Sequence, residues 1–327
     1  MLTFFAASLQ ASAPAAHYDV TTLSGARGRA AQVHVTLELT GDRDGETVLV
    51  LPGEWGGERE LWRGVAGLTV SGGEIEQADP EAPTLRTVRH APGAPLTVSW
   101  SVVQDREGEP TAAAGDNYRA WIRPDYVHMI GHTIFITPLG GVTGPVSVNL
   151  DAPEDWTLAS DLQEGADSLS DVRQSIIVAG DFRISTLDVA GERVAVRGDM
   201  DDAQIISAME AAARGNLTYW EEELMEWADA YASGAGSPYL VTGLPLIAEE
   251  GRSSFGGTNL FDSFALFGTG NTPPEILQRI LVHEHAHSWV PARVGGLPDG
   301  EEEASGYWFS EGFTDFVTTR AGLLGGA

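Results

Sequence analysis

The chain has 327 residues, 43% of them apolar, with 39 glycines and 17 prolines, a globular composition long enough for two domains that excludes a coiled coil or a wholly disordered chain. Its formal net charge of -28 repels phosphate and argues against nucleic acid and anionic membrane surfaces as partners. There is no cysteine and every one of the 19 basic residues is arginine, so disulfides, thiol nucleophiles, cysteine-ligated zinc, Schiff-base lysines and a P-loop lysine are excluded.

Residues 1–16 combine a short apolar stretch with small residues of the A-x-A kind, Ala11, Ser12 and Ala13. They read as a leader or signal remnant and point to a periplasmic or secreted protein. No apolar run reaches the ~18 residues of a membrane span.

From residue 17 to about residue 200 the texture is that of β-structure. AQVHVTLEL (31–39) alternates apolar and polar residues, a turn-rich GDRDGE follows, and TVLVLPG comes next. That is the period-2 pattern of a half-buried hairpin. Similar segments recur at PLTVSWSVVQ, HTIFITP, VSVNL, SIIVAG and RVAVRG, separated by Gly, Pro and Asp. They predict an antiparallel, sandwich-like domain. His128 and His132 are four apart within this region. Gly131 and the β-branched run after it predict a strand or turn, where that spacing does not converge, so they are read as structural residues.

Beyond residue 200 the segment 201–231 is rich in helix formers, with Asp201 or Asp202 as N-cap. A mixed stretch with the Gly-rich FGGTNL follows. Then GNTPPEILQRILVHEHAHSW predicts a helix with Thr272 as N-cap, Pro273 at the first helical position and Glu275 completing a capping box. On this helix Ile276, Ile280, His283 and His287 form one stripe, which the apolar start turns inward. His285 is rotated about 160° from the two other histidines, given ~100° per residue, and is read as a bystander.

His283, Glu284 and His287 form an H-E-x-x-H pattern. Two neutral imidazoles one turn apart can bind Zn²⁺ at ~2.0–2.1 Å, with the glutamate angled at the open position as proton shuttle. A third protein ligand is needed. GYWFSEGFTDFVTTRAGLL predicts a second helix with Glu311 and Asp315 four apart among Trp308, Phe309, Phe313 and Phe316. Two acids buried in so aromatic a helix require a cation. Glu311 is the expected third ligand, and Asp315 is placed to accept an N–H from a ligating histidine.

VHEHAHSWVP followed by YWFSEGFTDF resembles the gluzincin metallopeptidases of the glycyl aminopeptidase family. PDYVHMIGHTIFITP and FGGTNLFDSF are similar to that family as well. The resemblance implies an α+β protein of two domains, a β-sandwich-like domain over 17–200 followed by a thermolysin-like zinc domain over 201–327. It implies a zinc-dependent aminopeptidase acting on short peptides with small N-terminal residues. It further implies that Gly256 and Gly257 let an extended substrate pair with a backbone edge. A glutamate that grips the substrate amine in this family is replaced here by Asn259, with Glu249 and Glu250 nearby in sequence. The family's oxyanion-stabilising tyrosine or histidine is expected outside these 327 residues, in a continuing helical region. The rival readings are a non-catalytic zinc-containing peptide-binding protein, part of a split peptidase, and an endopeptidase on the same scaffold.

Overall fold

The computed structural model describes residues 15–25, 28–111, 117–164, 166, 168–187, 193–197, 200–223, 239–248, 250, 253–260, 262–290 and 303–325. The leader expected over 1–16 lies, but for its last two residues, outside them, as does Glu249.

The β-rich half runs through β1 (Ala16–Leu23), β2 (Gln32–Thr40), β3 (Glu46–Val50), β4 (Val65–Ser71), β5 (Gly73–Ile75), β6 (Leu85–His90), β7 (Pro95–Val102), β8 (Trp121–Ile122), β9 (Tyr126–Ile130), β10 (Thr137–Pro138), β11 (Val146–Asp151), β12 (Thr157–Ser160) and β13 (Ile176–Gly180). Two short helices interrupt it, α1 (Gly131–Ile134) and α2 (Leu169–Arg173). One sheet has the order β11-β1-β2-β7-β4 and a second the order β10-β3-β6-β5. The alternation in the sequence is what buries them: β2 hides Val33, Val35, Leu37 and Leu39 and leaves the residues between exposed or half-buried. The two sheets share one core, in which these side chains meet Leu49 of β3 and Val88 of β6.

In the first sheet one pairing departs from the antiparallel expectation. β1 pairs with β2 antiparallel but with β11 parallel, Ala16 opposite Val146. A period-2 pattern says which face of a strand is buried and nothing about its direction, so this long-range pairing was not readable from it.

A third sheet, β12-β13-β9-β8, is buried on both faces; every residue of β9 and β13 is buried. Val127 and Met129 join the sandwich core on one side, and Tyr126 and Ile130 join a second core on the other. That second core belongs jointly to a fourth sheet, formed by β14 (Arg183–Thr186), β15 (Arg193–Val196), β16 (Leu240–Pro245), β17 (Phe255–Asn259) and β18 (Ser263–Gly268) in the order β14-β15-β16-β18-β17. This sheet takes its first two strands from ahead of residue 200, where the composition changes. Its central strands are parallel, and near-continuous apolar runs such as SFALFG are what burial on both faces demands.

Helices α3 (Asp202–Glu223), α4 (Pro274–Ala286) and α5 (Glu303–Gly325) cover the outer face of the fourth sheet. Their core includes Met209, Ala213, Leu281, Val282 and Val317 against Phe264 and Leu266 of β18. The N-cap of α3 is Asp201, whose Oδ1 accepts from the Gln204 N–H at 3.1 Å. The cap expected at Thr272 is corrected: Pro273 is the N-cap and Pro274 the first helical residue. A residue that precedes proline is pushed out of the helical region, so Pro273, before Pro274, stays extended and the helix starts one residue late. The Thr272 hydroxyl instead donates to the Thr269 carbonyl at 2.8 Å. Among the described residues, no helix is long and apolar enough to cross a membrane.

Candidate active site

α4 brings its two faces to different environments, and they are the reverse of the sequence expectation. Leu277, Leu281, Val282, His285 and Ala286 are buried, while Ile276 is 39% exposed. The inward stripe therefore runs through His285. That residue is a core side chain, packed edge-on to Tyr239 and Trp289 and bonded through Nδ1 to Asn216 Nδ2 at 3.1 Å. Asn216, buried on α3, also donates to the Val282 carbonyl at 3.2 Å. Apolar residues lie on both faces of α4, so apolarity alone could not choose the inward one.

His283 and His287 line the other face, with side chains 18% and 12% exposed. Across from them α5 presents Glu311. His287 Nε2 is 3.1 Å from His283 Nε2, His283 Nε2 is 3.3 Å from Glu311 Oε2, and His287 Nε2 is 3.7 Å from the same oxygen. His287 Nδ1 lies 2.8 Å from the Val290 carbonyl, and His283 Nδ1 lies 3.3 Å from Asp315 Oδ1. Those oxygens can only accept, so both Nδ1 atoms carry the proton. In the neutral form each imidazole then turns a lone pair, through Nε2, toward the Glu311 carboxylate. Burial also holds the His287 pKa below its ordinary value. Three lone-pair donors facing one another repel unless a cation lies between them.

The spacing suits one. Bonds of ~2.0–2.1 Å at a tetrahedral angle set donor atoms roughly 3.3–3.4 Å apart, and among the described residues these three form a group able to hold a metal ion. The acids are not buried as expected. Glu311 and Asp315 are 55% and 57% exposed, and Trp308 and Phe316 beside them are exposed too. The burial argument for a cation therefore fails here, and the convergence of donors replaces it.

Glu284, next to His283, has its carboxyl pushed up to about 8, by burial first and then by the Glu311 charge. The Gly-rich segment is β17, the edge of the fourth sheet. Main-chain bonds Thr269 to Ser254 and Leu260 to Ser263 fix its alternation, so Gly256 and Thr258 bond to β18. Phe255, Gly257 and Asn259 turn their N–H and carbonyl groups to the open edge. A Cβ on Gly257 would come within 2.3 Å of the Phe264 ring, whereas one on Gly256 would meet nothing within 4 Å. Gly257 is thus needed for packing on Phe264. The Asn259 side chain is engaged: its Oδ1 accepts from the Tyr239 hydroxyl at 2.7 Å, which itself lies 3.3 Å from the Glu284 carbonyl. Glu250 is exposed on the surface. His128 and His132 do not converge. His128 is buried with Nε2 3.2 Å from Thr242 Oγ1, and His132 stacks on Trp55 at 4.8 Å.

Asn216, Tyr239 and Tyr118, whose hydroxyl donates to the Gly257 carbonyl at 2.8 Å, border the site without any local motif to announce them. Their partners are 20 to 139 residues away in sequence.

No protein-family model matches the sequence, and no curated protein matches it. Solved structures do. A crystal structure of an aminopeptidase N family protein from Idiomarina loihiensis aligns with a TM-score of 0.63 at 18% identity, over 94% of this chain and 55% of that one. The chain has an aminopeptidase N fold. It spans about half the length of that protein. A structure of yeast LTA4 hydrolase in complex with bestatin aligns more loosely, with a TM-score of 0.45 at 13% identity over 93% of this chain and 47% of that one. Within the aminopeptidase N fold, β17, α4 and α5 are the elements that bring the edge, the histidine pair and Glu311 together.

Proposed function

We propose that the chain is a zinc-dependent metallopeptidase, acting as an aminopeptidase that releases small N-terminal residues from peptides. The observation that carries this is the triangle of His283 Nε2, His287 Nε2 and Glu311 Oε2, with both imidazole Nδ1 protons directed away from it. Zinc bound there would supply the acidification of water and the polarisation of the scissile carbonyl. His283, His287 and Glu311 would hold it, and Asp315 keeps His283 in the ligating tautomer. Glu284 takes a proton from the attacking water on its carboxylate and passes it to the leaving amine. The open edge of β17 holds an extended peptide by main-chain pairing. The short apolar stretch and small residues within 1–16 support a periplasmic or secreted location.

The test is digestion of a pool of free and N-acetylated peptides, read by mass spectrometry, with and without a zinc chelator. Chelator-sensitive loss of single residues from free peptides alone is the expected result. Cleavage of acetylated peptides would replace the aminopeptidase by an endopeptidase. Retained zinc with no cleavage at all would favour the peptide-binding reading.

A further inference from the structure

Tyr118 comes from the β-rich half of the chain, yet its hydroxyl donates to the Gly257 carbonyl at 2.8 Å. That carbonyl is one of the outward-facing acceptors on the open edge of β17. Its placement is firmly built. The Tyr118 N–H donates to Glu58 Oε1 at 2.7 Å, and its ring packs edge-on to Trp55 at 5.7 Å and Phe267 at 5.8 Å. Gly56 sits under the ring at φ 60, where a Cβ would be 2.9 Å from it. Arg119, the next residue, ties Glu58 and Asp105 together beneath the same turn.

An extended peptide added to a sheet edge runs about 4.8 Å from it and uses the N–H and carbonyl of alternate edge residues. At Gly257 the acceptor is taken, and the phenol stands in the lane that an added strand would use. We propose that Tyr118 is a specificity-determining residue that ends the peptide-pairing edge at Gly257, so that the site takes substrates with only a short segment on that side of the reacting bond. This rests on the metallopeptidase reading and deepens it. It also bears on Asn259: where a charged clamp on the substrate amine is missing, a steric stop can still count residues.

The test uses zinc-loaded Glu284→Gln protein and a ladder of free peptides lengthened one residue at a time from either end, with affinities from calorimetry. With Tyr118 in place, lengthening at one end brings no gain. Tyr118→Phe frees the carbonyl and raises affinity for peptides lengthened at that end a few-fold. Tyr118→Ala opens the lane and raises it about tenfold, the worth of one to two hydrogen bonds. In proteins with Glu284 intact, Tyr118→Ala shifts the products from single residues to longer fragments. The proposal is overturned if both variants keep the original length dependence, if the unaltered site already gains affinity at both ends, or if no peptide binds. Tyr118→Phe preserves the ring packing, so it decides the matter should the alanine variant not fold. A binding ladder that behaves as described, from a chain that hydrolyses nothing, would defeat the peptidase reading and leave the edge-stop standing.

Discussion

Asp315 Oδ1 stands 3.3 Å from His283 Nδ1, on the side of the ring opposite Glu311 and His287. One turn of α5 thus supplies both a carboxylate for the shared centre and a second that fixes the tautomer of a histidine on α4. Asp315→Asn keeps the shape but weakens that acceptor. Zinc affinity should fall by about 10- to 100-fold, with little loss of stability because the side chain is largely exposed. Competition against a chromophoric chelator measures it, and affinity equal to wild type would remove Asp315 from the site.

Glu284 carries no ligand role in this account. Glu284→Gln should therefore retain zinc while hydrolysis drops by about 10²–10⁴, the range for loss of a positioned general base. Zinc content and turnover on the same preparation separate the two effects. Zinc lost together with activity would make Glu284 a ligand instead.

Asn216 links α3 to α4 by donating to the Val282 carbonyl and to His285 Nδ1. Asn216→Ala leaves both acceptors buried without that donor and should destabilise the chain by about 1–3 kcal/mol. Urea unfolding should show a lower midpoint with an unchanged slope. An unchanged midpoint would mean that water replaces the amide there.

Asp161 joins the third sheet to the fourth: it accepts from the Ile176 N–H at 3.0 Å and from the Ser263 hydroxyl. Burial raises its carboxyl from the usual 3.8 to about 6, against the lowering effect of those donors. The folded state therefore holds this proton more tightly than the unfolded chain. Its contribution to stability is fully present below about pH 4 and is lost as pH rises through about 6, an effect on the order of 1–3 kcal/mol. Asp161→Asn should flatten that part of the pH–stability curve; an identical slope in the variant would assign it to other groups.

The sequence was legible where chemistry is local. His283, Glu284 and His287 lie within five residues, and helical spacing alone sets the two ligating rings together. The alternation in β2 and β7 likewise gave their buried faces. What local pattern could not supply is direction and depth. The parallel pairing of β1 with β11 joins residues 130 apart, and the inward face of α4 depends on α3 lying over His285. The acids of α5 were expected in the interior because aromatic neighbours surround them in sequence. In space those aromatics are themselves partly exposed, and Glu311 reaches the histidines from the rim. Tyr118 belongs to the same class: its partner is a backbone carbonyl 139 residues on, which no spacing rule encodes.

The most direct test of the central claim is the zinc content of the purified chain beside His287→Ala and Glu311→Gln, with hydrolysis measured before and after the metal is removed and returned. The expected result is one zinc per chain in the wild type, sharply weaker binding in both variants, and activity that leaves and returns with the metal. Zinc bound as tightly after both substitutions, or hydrolysis indifferent to its removal, would contradict it.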